Sequence, residues 1–132
     1  MNLDLLPDVL AVCRLDAQDA LPAWAPPAAP GGLWSLTRTA DELSIVCPQI
    51  SVPSGVRCEA GWRAFKVVGP LDFALVGILA DLSGLLARAQ VSLFALSTFD
   101  TDYILVKSQS LPAAIAAFQQ GGHRVHQPDA AL

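Results

Sequence analysis

From Leu75 to Ala89 apolar side chains fall at Leu75, Ile78, Leu79, Leu82, Leu85, Leu86 and Ala89. This spacing follows the roughly 3.6-residue period of a helix with one buried face, and such a face requires a surface to pack on. Its neighbours in the chain supply strands. Trp62–Val68 is rich in β-branched and aromatic residues and stops at Gly69-Pro70, while Val91–Ser97 and Asp102–Lys107 flank the turn Thr98-Phe99-Asp100-Thr101. Leu111–Gln120 reads as a second helix, with Ser110 as N-cap, Pro112 in the first turn and Gly121-Gly122 stopping it. His123–Gln127 closes as a short strand. The order β-α-β-β-α-β predicts an α+β, ferredoxin-like unit in which four antiparallel strands carry two helices on one face.

The preceding half is less regular. Seven of the ten prolines lie there: Pro7, Pro22, Pro26, Pro27, Pro30, Pro48 and Pro53. Val9–Leu15, Leu33–Thr39 and Leu43–Cys47 read as short strands, the last two joined as a hairpin through Ala40-Asp41-Glu42. The four prolines and Gly31-Gly32 of Leu21–Gly32 leave room for one helical turn at most. The same β-(turn)-β-β-(loop)-β order is thus sketched with its helices eroded. Two tandem modules are expected: a degenerate one over residues 1–61 and an intact one over residues 62–132.

Of the 132 residues, 53% are hydrophobic and 15% charged, against a usual charged share of about 25%. So much apolar surface is hard to bury within one small chain, which predicts a homodimer. A formal charge of −4, with eight scattered Lys and Arg, gives no footprint for nucleic acid and no basic face for an anionic membrane. The apolar run Phe73–Ala80 is far short of the roughly twenty residues that a membrane span needs. Met-Asn-Leu-Asp at the start has no basic character and is not expected to be a secretory signal. Cys13, Cys47 and Cys58 form no Cys-x-x-Cys pair, which predicts free, buried thiols in a reducing, cytoplasmic compartment.

Catalytic groups are not legible. His123 and His126 are three apart, so on a strand they point to opposite faces and make a poor metal site; surface positions are expected for both. No cysteine has His or Asp at a telling spacing. Gly31-Gly32 lacks the context of a phosphate loop, and Arg38, Asp41 and Glu42 read as solvated charge on a hairpin. No metal, cofactor or enzymatic activity is expected.

Two stretches carry a resemblance. They are Gly69-Pro70-Leu71-Asp72-Phe73-Ala74-Leu75-Val76-Gly77-Ile78-Leu79 and Val91-Ser92-Leu93-Phe94-Ala95-Leu96-Ser97-Thr98-Phe99-Asp100-Thr101-Asp102-Tyr103-Ile104-Leu105-Val106. Together they resemble the ACT domains of a small bacterial family, related to the ACT modules of aspartate kinases and of the CASTOR arginine sensors of animals. The hairpin Thr39–Cys47 and Gly61-Trp62-Arg63-Ala64 are similar to the same family. The likeness runs over residues 33–126.

The resemblance implies a regulatory module that binds an amino acid where the first strand hands over to the first helix, at a groove between modules or subunits. Here the handover is Asp72–Ile78. Gly77 would admit a ligand close to the backbone, and the N–H groups of the first helical turn favour a carboxylate. Asp72 and Asp102 are candidates for an ammonium or a basic side chain. Ser92 and Leu93 would contribute backbone from one subunit, and Gly77, Ile78, Thr98, Phe99 and Asp102 contacts from the other. Bland roles stand beside these: Asp100 and Asp102 as turn formers, Gly77 as a packing glycine. Asp72 is followed by Phe73-Ala74 where the arginine sensors carry a further acidic residue, so a basic ligand is not implied. The other functional readings are an interaction or oligomerisation module that has lost its ligand, and a small enzyme completed by a partner.

Overall fold

The computed structural model describes residues 1–25, 32–68 and 77–128. The chain forms strands β1 (Asn2–Leu5), β2 (Leu10–Leu15), β3 (Ser35–Arg38), β4 (Leu43–Pro48) and β5 (Cys58–Val67). Then come helix α1 (Ile78–Arg88), strands β6 (Phe94–Ser97) and β7 (Asp102–Lys107), helix α2 (Leu111–Gln120) and strand β8 (Arg124–His126). Its contacts divide it into two compact units, one of Met1–Pro7 with Arg63–Leu132, the other of Asp8–Trp62.

In the larger unit the strands lie in the order β6-β7-β5-β1-β8. Alternate residues of three strands point to one face: Leu3 and Leu5, Phe65 and Val67, Ile104 and Val106. Both helices cover that face, through Leu82 and Leu86 of α1 and Ala114, Ala117 and Phe118 of α2. The predicted leucine stripe is therefore core, with Ile78, Leu79 and Leu85 packed at its margin. Ala89 is exposed instead, because α1 has already ended. The expected helix start at Leu75 falls outside the described residues.

One strand was not foreseen. β1 inserts between β5, antiparallel through Leu3↔Val67, and β8, parallel through Leu3↔Val125. Among the described residues the unit thus has five strands, and its last pairing is parallel where the four-strand scheme is antiparallel throughout.

The exit from α1 sets the start of β6. Val91 N–H donates to Leu86 O at 2.9 Å and Gln90 N–H to Ala87 O at 3.0 Å, the paired bonds of a Schellman cap. Gln90, at φ 60°, takes the left-handed position that glycine fills after α2, where Gly122 has φ 90°. The cap consumes Val91, which explains why β6 begins at Phe94 rather than at the expected Val91. Because a side chain is strained at that backbone angle, Gln90→Gly should raise stability by about 0.4–1 kcal/mol in thermal or urea denaturation. A loss of stability would show that the Gln90 side chain makes a compensating contact. At its start, α2 departs from expectation in one respect: Ser110 makes no side-chain cap bond, and the chain enters through a 3-10 turn, Ser108–Ser110, with Pro112 in the first turn.

The smaller unit is an antiparallel sheet in the order β3-β4-β2-β5. Ala11, Cys13, Leu43, Ile45 and Cys47 alternate onto one face and form its core with Ala25. Among the described residues it has no α-helix, only the 3-10 turn Gln49–Ser51. Between Leu10↔Trp62 and Val12↔Glu59 the register slips, so Ala60 and Gly61 together oppose Ala11, a β-bulge. This bulge lets β5 begin at Cys58, four residues before the predicted strand. The β3–β4 turn forms as expected, with Thr39 Oγ1 accepting from Asp41 N–H and Glu42 N–H at 3.1 and 3.2 Å. Arg38 is not merely solvated: its guanidinium donates to Ala17 O and Asp19 O, pinning the segment after β2.

Candidate ligand-binding site

Every described candidate residue belongs to the larger unit; Asp72 lies outside the described residues. Gly77 is the N-cap of α1, with φ 84°. A Cβ at this position would meet nothing within 4 Å. Among the described residues, glycine is therefore required by the backbone angle and not by close packing. Ile78, the first helical residue, turns its side chain partly onto the core. No side chain among the described residues caps the helix, so its first turn presents N–H groups and the positive end of its dipole.

Asp81, also in that turn, is held from α2's side. Its Oδ2 lies 2.8 Å from His123 Nε2. The His123 side chain is only 8% exposed and meets the Phe118 ring edge-on at 6.4 Å. This overturns the surface-strand expectation for His123, which precedes β8 and buries its ring. His126 is exposed as expected, its Nε2 3.3 Å from Asn2 Oδ1.

The second element is the β6–β7 turn. Thr98 N–H donates to Thr101 O at 2.8 Å, and Thr98 Oγ1 accepts from Thr101 N–H at 3.4 Å. Phe99, at the tip, is 81% exposed. Ser97 and Asp102 face each other across the pair, and Ser97 Oγ donates to Asp102 Oδ1 at 2.5 Å. Asp102 thus does tie the turn, while its half-buried carboxylate stays at the strand entrance. Thr101 is the residue that sequence reasoning missed. It is 4% exposed, and its hydroxyl donates to Val67 O at 2.6 Å. That bond fastens the whole turn to the end of β5, the strand from which the chain proceeds to Gly77.

Ser92 and Leu93 are placed elsewhere. They precede β6, whereas Thr98 comes after it, so roughly 13 Å of strand separates them. They also come after α1, whose eleven residues span about 16 Å from the Gly77 end. Gly77 and Ile78 are thus at one end of α1 and Ser92 and Leu93 beyond its other end; a site using all of them needs more than one copy of the unit. Among the described residues, no group of His, Cys, Asp and Glu is arranged to hold a metal ion.

A sheet with two helices on one face, in the order β-α-β-β-α-β from β5 to β8, defines an α+β protein of ferredoxin-like type. A family model for the ACT domain matches residues 57–120, from the edge of β5 through α2, and a second model, for an N-terminal domain, matches residues 8–55. A solved protein from Agobacterium tumefaciens is 37% identical, with 99% of this chain and 96% of that one aligned at a TM-score of 0.89. The chain belongs to the ACT-domain family. It is also 37% identical over 60 residues to the human cytosolic arginine sensor for mTORC1 subunit 1. That match takes 45% of this chain and only 18% of the sensor's length. The regulatory subunit of aspartate kinase from Thermus thermophilus shares the fold, with a TM-score of 0.59 at 10% identity over 90% of this chain and 96% of that one. No helix among the described residues is long and apolar enough to cross a membrane.

Proposed function

We propose that this protein is a regulatory, non-catalytic module that binds an amino acid and reports it through its assembly or conformation. The 60-residue likeness to arginine sensors carries the reading. The start of α1 behind Gly77, which no described side chain caps or crowds, supports it, being suited to an α-carboxylate. Asp102, and Asp72 shortly before Gly77 in the chain, supply negative charge for the α-ammonium or a basic side chain. In this reading the intact module is the unit of Met1–Pro7 with Arg63–Leu132, and the eroded one is the unit Asp8–Trp62. Ile78, Thr98 and Phe99 line the site from one subunit, and Ser92 and Leu93 of a second copy complete it, so the binding form is a homodimer in the cytoplasm.

Thermal shift against the twenty amino acids tests this. At a hundred times its dissociation constant a ligand adds about 2.7 kcal/mol, so one or two amino acids should raise the Tm clearly. Asp102→Asn keeps an oxygen to accept from Ser97 Oγ while removing the charge, and should weaken binding about tenfold or more. Unchanged affinity would remove Asp102 from the site. A cleanly folded protein that answers to no amino acid would be an interaction module instead, and a 13.9 kDa monomer in sedimentation at saturating ligand would overturn the shared site.

A further inference from the structure

The three cysteines are far apart in the chain but meet on one face of the smaller unit. Cys13 of β2 lies directly opposite Cys58 of β5. Cys47 of β4 opposes Ala11, on the same face as Cys13. Cys47 and Cys58 both lie near enough to act on the Cys13 thiol. All three are free, but not alike: Cys13 and Cys47 are buried, whereas Cys58 is exposed, contrary to the expectation of three buried thiols.

The ladder fixes the geometry of the pair. Arg14 N–H donates to Arg57 O at 3.0 Å, so the ladder bonds fall on the neighbouring pair and Cys13 and Cys58 form a non-hydrogen-bonded pair. In such pairs the Cα atoms approach to about 4.5 Å and the side chains are at their closest. A disulfide accepts Cα separations of roughly 4.4–6.8 Å. β2 and β5 therefore set the two Cα atoms at a separation that a disulfide accepts, without moving the backbone.

We propose that Cys13 and Cys58 are a reversible redox pair, closed to a cross-strand disulfide by hydroperoxides. The exposed Cys58 reacts first: its thiolate attacks the peroxide oxygen, the O–O bond breaks, and Cys58 sulfenic acid and an alkoxide or hydroxide form. The Cys13 sulfur then attacks the Cys58 sulfur. The sulfenic hydroxyl leaves as water with the Cys13 thiol proton, and the S–S bond forms. Two thiols lose two hydrogens in all, and the hydroperoxide is reduced to alcohol and water. The order of events comes from the environments. Burial, with Cys47 and Cys58 alongside, pushes the Cys13 thiol up to about 12, so it stays protonated and unreactive until an electrophilic sulfur stands opposite it. Burial also raises the Cys47 thiol. A dithiol, or two equivalents of a monothiol, reopens the pair by exchange. One thiolate forms a mixed disulfide and releases the first cysteine; the second thiol attacks that mixed disulfide, releasing the other cysteine and leaving the reductant as its own disulfide.

Trypsin separates the three cysteines, onto residues 1–14, 39–57 and 58–63. The full chain is treated with hydrogen peroxide, alkylated, digested without reductant and mapped by mass spectrometry. The expected product joins residues 1–14 to residues 58–63, disappears on adding dithiothreitol and survives in Cys47→Ser. In Cys13→Ser the reaction should stop at a Cys58 sulfenic acid that dimedone traps. In the wild type, a Cys47–Cys58 link, a Cys58–Cys58 link between molecules, sulfinic acid on Cys58 beside free Cys13, or three unreacted thiols would each overturn the proposal.

Discussion

Phe118→Ala is expected to cost about 3–5 kcal/mol of stability, measured by urea denaturation. The ring is fully buried in α2 and meets Phe65 edge-on, with centroids 5.0 Å apart and planes at 84°. That geometry adds roughly 0.5–1.5 kcal/mol to the burial itself. His123, 6.4 Å away, is held by Asp81 and cannot follow the truncated side chain inward without giving up that bond. The surroundings therefore have little freedom to collapse, and the cost falls toward the upper end of the range. A domain of ordinary stability has about 5–15 kcal/mol in all, so the larger unit would be left marginal. Ile50→Ala is the matched control. Ile50 is 95% exposed, and its truncation should change stability by no more than about 0.5 kcal/mol. Equal losses at the two sites would mean that burial is not what holds α2 to the sheet.

The features legible in the residues were those that spacing encodes. The stripe of α1 and the bounds of α2 and β7 come from local periodicity and from proline and glycine, and the structure has them there. β1 escaped because four residues ending before Pro7 carry only Leu3 and Leu5 as a pattern. Its status as a strand comes from β5 and β8, dozens of residues away. The expected strand begins only at Trp62, whereas Ala60-Gly61 before it is a bulge inside a ten-residue strand that starts at Cys58. The pairing of Cys13 with Cys58 depends on that register, and no spacing rule reports it. At the site, Gly77 and the Ser97–Asp102 turn were legible because such a glycine and such a turn are local backbone matters. The hydroxyl of Thr101 and the ring of His123 were not, since each owes its role to burial against a distant element.

Thr101→Val tests the most consequential of these hidden contacts. Valine keeps the β-branched shape and removes only the hydroxyl, so the turn can still form through Thr98 N–H and the carbonyl at position 101. Val67 is fully buried, and its carbonyl loses the 2.6 Å donor with no solvent to replace it. A buried acceptor left unpaired costs about 1–3 kcal/mol. The expected loss of stability lies in that range. If the proposed site is right, amino-acid binding should weaken as well, because Asp102 is carried by the turn that Thr101 fastens to β5. Thr101→Ser separates the bond from the packing: it keeps the hydroxyl and drops the methyl. Serine should restore affinity at only the smaller cost of a lost methyl group, about 1 kcal/mol. The reverse ranking, with valine tolerated and serine damaging, would make Thr101 a packing residue and leave the turn without its tether to β5.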